Sequence, residues 1–145
     1  VLSDKEILEH LKKGEIKILP FETSCINPAG YDLRSSDEVK LRPKRYELTA
    51  TLETVELGLT VAGSIHIRSS LAREGIVGSF AIVDPGFRGQ LTLNLHNVGE
   101  KEIRIEEGEP IVQIIFHKLG SPARKGYTGL YQNSRGIVSS KRNKF

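Results

Sequence analysis

The strongest constraint on this chain is its punctuation. Gly58, Gly63, Asp84-Pro85-Gly86, Gly99 and Gly108 fall between short runs of mixed apolar and polar residues. Turn residues at such intervals leave no room for long helices and point to a β-sandwich or barrel. Residues 46–57, 61–67, 76–83, 90–98, 102–105 and 111–117 read as strands, with 16–19 as another. In QLTLNLHNV, Leu91, Leu93 and Leu95 alternate with Thr92, Asn94 and His96, which predicts one core face and one polar face. NPAGYDL at 27–33 reads as a Pro/Gly turn leading into an apolar pair. The N-terminus is the exception. Ser3 can cap a helix, Glu6 stands at the capping-box position, Ile7, Leu8 and Leu11 form an apolar stripe, and Gly14 ends it.

With 145 residues and no interdomain linker or repeat, the chain suits a single domain spanning 1–145. A formal charge of +3 is too modest to make a nucleic-acid binder by itself. Only 6% of residues are aromatic, and basic residues gather at 141–144 instead of interleaving with aromatics on strands. That counts against a non-catalytic β-barrel that binds single-stranded nucleic acid. Cys25 stands alone, so no intramolecular disulfide is possible, and it is expected to be a small buried residue in a reducing compartment. No run approaches the roughly 20 apolar residues that span a bilayer, and the first ten residues lack an apolar signal core. The expectation is a cytoplasmic protein with no membrane partner. From about residue 120 to 145 a basic, Gly/Ser-bearing tail carries two tyrosines. It reads either as a disordered end or as an arm that closes over an anionic ligand.

Chemistry concentrates in residues 68–89, RSSLAREGIVGSFAIVDPGFRG. No histidine stands beside its serines, which argues against acyl transfer. If 69–75 turns helically, Ser69 and Arg73 project from one side. With Ser70 they offer hydroxyls, amides and a guanidinium to a phosphate, or simply a capped turn with a surface arginine. Asp84 ends the apolar run Phe80-Ala81-Ile82-Val83 and precedes a tight turn. Its carboxylate can order a water as general base or serve the turn alone. Phe87 offers a flat face to a sugar or fills the core. Asp32 can pair with an arginine or support a metal-bound ligand through water. His10, His66, His96 and His117 are scattered without metal-ligand spacing, so no zinc site is expected.

Five motifs in order resemble the dUTPase and dCTP deaminase superfamily, most closely its archaeal dUTPase branch, over nearly the whole chain. They are NPAGYDLR, with Asp32; IRSSLAREG; FAIVDPGFRGQLTLNLHN; GEPIVQIIF, with Gln113; and SPARKGYTGLYQNSRG. The resemblance implies a mostly β distorted jelly-roll, a dUTPase-like β-clip barrel with a short N-terminal helix. Deaminases of the family carry a glutamate in a TLE pattern on the strand after the DPG turn. Here that position is Asn94, in TLN, which has no titrating carboxylate. The stretch between Arg73 and Asp84 is also closer to dUTPase length.

The resemblance therefore implies hydrolysis of dUTP to dUMP and pyrophosphate by attack of water at the α-phosphorus. The alternative is a dCTP deaminase, or a bifunctional dCTP deaminase/dUTPase. Asp84 would activate the water. Ser69, Ser70, Arg73 and Gln113 would hold the phosphates, with Mg²⁺ bound mainly by the triphosphate and by no protein ligand directly. Phe87 would pack on deoxyribose, and backbone near Ile76, Gly78 and Ala81 would read uracil. Asp32 would support the phosphates or metal. The tail lacks the usual Gly-rich dUTPase motif, so Tyr127 or Tyr131 would stack on the base and Arg135 would reach a phosphate. A homotrimer with sites shared between chains is implied as well.

Overall fold

The computed structural model describes residues 1–142. The last part of the expected basic tail, including the end of the 141–144 cluster, lies outside them. Ten strands follow one N-terminal helix, α1 (Asp4–Lys13). The strands are β1 (Ile16–Leu19), β2 (Ile26–Asn27), β3 (Gly30–Arg34), β4 (Val39–Leu41), β5 (Tyr46–Leu57), β6 (Val61–Ile67), β7 (Ile76–Gly78), β8 (Arg88–Asn97), β9 (Ile103–Ile105) and β10 (Pro110–Lys118). A five-residue helix, α2 (Ser69–Arg73), joins β6 to β7. No described helix is long and apolar enough to cross a membrane.

The capping box forms as the sequence requires. The Ser3 hydroxyl accepts from the Glu6 amide, and the Glu6 carboxylate accepts from the Ser3 amide at 2.8 Å. Gly14 closes the helix in the left-handed region. Ile7 is fully buried and Leu11 packs on the core, but Leu8 stays about half exposed. Ile7 and Leu11 are one helical turn apart and cover the sheet between them, so Leu8 turns away.

The strands form a four-stranded sheet in the order β1-β5-β8-β7, a second in the order β2-β3-β10-β6, and the ribbon β4-β9. All the strand pairs are antiparallel. Among the described residues neither sheet closes on itself, so the expected barrel is an open, two-sheet β fold. The core lies between the sheets, where Tyr31, Leu33, Leu93, Leu95, Ile114 and Phe116 are buried.

Four local expectations change. The strand expected over 76–83 ends at Gly78, where the Phe80 ring lies against the glycine, and Val83 alone rejoins a strand by bridging Gly63. Gly63 is therefore no turn. It sits inside β6, where an added Cβ would meet Ile114 Cδ1 at 2.8 Å. The segment 27–33 is a hairpin of β2 and β3. In β8, Leu93 and Leu95 are buried but Leu91 is only half so. β5 carries extra residues between Ala50 and Thr54, which pair with Thr92 and Gln90, and this bulge turns Leu91 out of the core. Cys25 is buried as expected, and burial raises its thiol pKa.

Candidate active site

Between the β5–β8 face and the chain's last described segment lies a cavity of about 730 Å³. Asp84, Ala81, Phe87, Asn94, Tyr127 and Tyr131 are among the residues that line it. Asp84 is exposed there, held by the Val83–Gly63 bridge before it and the turn after it. That turn closes with the Phe87 amide donating to the Asp84 carbonyl at 3.1 Å. Gly86 sits at φ +80°, and a Cβ added to it would lie 2.5 Å from the Gly126 Cα. Only glycine satisfies both the turn and that close approach. Phe87 fills the core, the second of its two readings. Its ring belongs to the core cluster and also walls the cavity, edge-on to Tyr127 at 5.6 Å.

From Tyr127 to Val138 the tail is a wall hydrogen-bonded to the body. The Tyr127 amide donates to Pro85 O at 2.8 Å and the Asn133 amide to Arg88 O at 2.8 Å. The Gln90 amide donates to Ser134 O at 2.9 Å. Gly89 and Ser134 pair as a parallel bridge, so close that a Cβ on Gly89 would meet Ser134 N at 2.8 Å. Side chains complete the seam. Gln132 Nε2 donates to Gly86 O and its Oε1 accepts from the Arg88 amide, each at 2.8 Å. Gln90 Oε1 accepts from the Gly136 amide, and Thr92 Oγ1 from the Val138 amide.

The other expected ligands of a nucleotide lie elsewhere on the chain. Ser69 and Arg73 do share one side of α2, where an Arg73 terminal nitrogen donates to Ser69 O at 3.3 Å; Ser70 is exposed beside them. Gln113 pairs across β10 with Asp32 and His66, and its side chain packs on Gly30. Asp32 does pair with an arginine, Arg68, at 3.3 Å. Burial raises the Asp32 carboxyl pKa, and Arg68 opposes that rise. This set sits at the far end of β6 from Asp84. The bridge beside Asp84 is at Gly63, and five residues at about 3.3 Å each put Arg68 about 16 Å away. Ile76 is buried in the core and Gly78 lies under Phe80, so of the three residues expected to read the base only Ala81 lines the cavity. Arg135 lies outside the Asp84 cavity, in a second one of about 590 Å³ that also holds Arg88.

Three groups escaped the sequence reading. Glu53 is wholly buried, with Oε1 accepting from Arg34 Nε at 2.6 Å and Oε2 from the Arg34 amide at 2.9 Å. In the strand ETVEL it looks like any polar-face glutamate; the β5 bulge turns it inward. Gln132 and Gln90 gave no signal, because a glutamine binding backbone has no fixed spacing to its partner. Ser64 Oγ lies 2.8 Å from His117 Nε2 and 3.2 Å from His66 Nε2, a cross-strand cluster that only the β6–β10 register creates.

A family model described as dCTP deaminase-like matches residues 35–119, which hold Asp84, Asn94 and Gln113. The chain belongs to this family, within the dCTP deaminase/dUTPase superfamily. Relatives of the dCTP deaminase-like chain agree. It is 46% identical to a protein named dCTP deaminase from Pyrococcus abyssi, covering 90% of this chain and 94% of that one. It is 32% identical to an Aquifex aeolicus protein named dCTP deaminase, dUMP-forming, covering 97% and 94%. It is 29% identical to a protein of Sulfolobus islandicus rod-shaped virus 1 named probable deoxyuridine 5'-triphosphate nucleotidohydrolase, covering 97% and 98%. The dUTPase of Staphylococcus bacteriophage 80alpha shares the fold, with a TM-score of 0.60 at 21% identity over 81% of this chain and 98% of that one. An enzyme acting on a pyrimidine deoxynucleotide is the reading common to these names.

Proposed function

We propose that this enzyme hydrolyses dUTP to dUMP and pyrophosphate. One observation carries the choice: among the described residues Asp84 is the only carboxylate lining the cavity, and the position where a deaminase glutamate would stand holds Asn94. An amide cannot take a proton from water attacking a pyrimidine ring, whereas a carboxylate beside an α-phosphoryl group can accept one. In this reading Asp84 takes a proton from water, the oxygen bonds to the α-phosphorus, and the bond to the bridging oxygen breaks as pyrophosphate leaves. Phe87 packs on the deoxyribose, Tyr127 or Tyr131 stacks on the base, and backbone near Ala81 reads its edge.

Among the described residues no three or more His, Cys, Asp or Glu side chains are grouped so as to hold a metal ion, and Asp32 is tied to Arg68. That donor set suits Mg²⁺ carried by the triphosphate oxygens, where it would neutralise charge on the leaving group. Ser69, Ser70, Arg73 and Gln113 supply the phosphate donors. Because they stand at the opposite end of β6 from Asp84, a neighbouring copy contributes them in this reading, which supports a site shared between copies, as in the homotrimer that the family resemblance implies. Asp32 fixes Arg68 beside that set.

The relatives' names favour a second reading, deamination of dCTP. Incubating the protein with dUTP and with dCTP, each with Mg²⁺, separates the two. Pyrophosphate from dUTP without ammonia from dCTP is expected, and ammonia from dCTP would overturn the use made of Asn94. Asp84→Asn should abolish pyrophosphate release while leaving triphosphate binding largely intact. Undiminished turnover by that variant would sink the mechanism.

A further inference from the structure

The outer face of β6 and β10 carries a cluster that the reaction at Asp84 does not use. Burial alternates along both strands, so Ala62, Ser64 and His66 of β6 share one face with Gln113, Ile115 and His117 of β10. In the antiparallel register Ser64 stands opposite Ile115, with His66 towards one end of the pair and His117 towards the other. Both rings lean in to the serine. His117 Nε2 lies 2.8 Å from Ser64 Oγ, and His66 Nε2 lies 3.2 Å from it. Sequence spacing hides the pair, because only the β6–β10 pairing brings the two histidines together. No charged group competes for either ring. Of the four histidines only His10 has a carboxylate partner, Glu15, among the described residues. Asp32 lies two strands from His66, across Gln113, and Arg68 holds it at 3.3 Å.

Hydrogens are scarce at this oxygen. Ser64 has one hydroxyl hydrogen, so it can donate to only one imidazole nitrogen, and the other ring must turn an N–H toward it. A metal ion asks for the opposite: a lone pair from each Nε2 and no hydrogen between them. The two nitrogens already point at a common atom, and they lie no more than about 6 Å apart because each contacts that one oxygen. On a tetrahedral Zn²⁺, bound about 2.0–2.1 Å from each nitrogen, they would stand about 3.3 Å apart. Rotation of the two rings, with Ser64 turning aside, closes that gap. His66 is exposed and Ser64 and His117 are half-buried, so the movement leaves the core alone. The geometry points to a transition-metal site on this sheet face, in which His66 and His117 each give Nε2 to one divalent ion of the Zn²⁺ or Cu²⁺ type. Water fills the remaining positions, since no third His, Cys, Asp or Glu joins the pair among the described residues. Ser64 Oγ hydrogen-bonds that water. Imidazole selects such ions over Mg²⁺, which prefers oxygen ligands, so this site is separate from the Mg²⁺ that a triphosphate carries. A bound ion ties β6 to β10 across their outer face. The site does not depend on which reaction Asp84 supports.

Calorimetric titration of the full chain with Zn²⁺ and, separately, with Cu²⁺ tests it, in a constant excess of Mg²⁺. Long-range proton–nitrogen spectra of the imidazoles, taken with Zn²⁺, identify the ligands. One Zn²⁺ should bind per chain, and Cu²⁺ should bind at least tenfold more tightly. The Nε2 resonances of His66 and His117 should move while those of His10 and His96 stay. His66→Gln and His117→Gln should each weaken Zn²⁺ binding at least tenfold. Ser64→Ala keeps both imidazoles and should weaken it less than threefold. Because His66 is exposed, His66→Gln should melt with the parent when Zn²⁺ is withheld and lack the rise in Tm that Zn²⁺ gives the parent. Absence of saturable Zn²⁺ binding, or its displacement by Mg²⁺, overturns the site. So does binding that survives both His→Gln changes or moves the His10 resonances instead. An equal loss in Ser64→Ala and in the histidine variants would likewise overturn it, leaving a hydrogen-bonded cluster only.

Discussion

Replacing Glu53 by alanine tests what joins the two sheets at β3 and β5. The carboxylate is fully buried and both oxygens are occupied, one by the Arg34 guanidinium and one by the Arg34 amide. Donating to Glu53 raises the Arg34 pKa, and a guanidinium stays protonated in a protein even when such a partner is cut away. With a side chain only 18% exposed, that charge recovers little water. Breaking a buried pair from one side costs about 3–5 kcal/mol. A 145-residue domain has an unfolding entropy of about 0.3 kcal/mol/K, so Tm should fall by about 10–16 °C. Glu53→Gln should also be costly, since its NH₂ must face one of two donors. The paired replacement Arg34→Met with Glu53→Leu should recover most of the loss, because two buried charges then vanish together. Urea titration of the four proteins gives each free energy and the coupling between the sites. A loss below about 1 kcal/mol for Glu53→Ala would refute the reasoning.

Gly86→Ala should free the tail, because its Cβ collides with Gly126 and its φ of +80° costs an L-residue about 1–2 kcal/mol. Limited trypsin digestion should then cut at Arg124 and Lys125 well before the parent is cut, and equal rates would remove the proposed clash. Arg68→Gln should lift the Asp32 carboxyl pKa further, as it deletes the charge that opposes burial. A carboxyl held above its ordinary 3.8 in the fold contributes stability at pH below that value and loses the contribution as pH rises through the folded pKa. The variant should therefore lose more stability than the parent on going from about pH 4 to pH 7, and carbon-13 titration of Asp32 reads the shift directly.

Local signals carried much of the fold. Ser3, Glu6 and Gly14 specify α1 within a few residues of themselves, and the Asp84-Pro85-Gly86 turn is written in its own residues. What escaped depends on partners distant in sequence. β4 is three residues long and exists because Val39 to Leu41 pair with β9. Leu91 and Glu53 exchange their expected environments at a bulge in the β5–β8 pairing that no local pattern announces. For the candidate site, Asp84, Phe87, Ala81 and the two tail tyrosines were legible as one group. Their separation from Ser69, Arg73 and Gln113 was not, because motif order along a chain says nothing about which end of β6 each motif reaches.

The backbone seam between β8 and the tail sets a timetable for making this protein. Gly86 to Thr92 meet partners about 46 residues later in the chain, from Gln132 to Val138. Synthesis runs from the N-terminus at roughly 5–20 residues per second, so the body can fold while those partners are still to be added. Until they emerge, the nascent chain holds Asp84 on an open face without Tyr127, Tyr131 or Ser134 opposite. The Asp84 cavity is thus walled only after the β scaffold has been made, and a chain that stalls near residue 120 would carry the ten strands with no wall opposite Asp84.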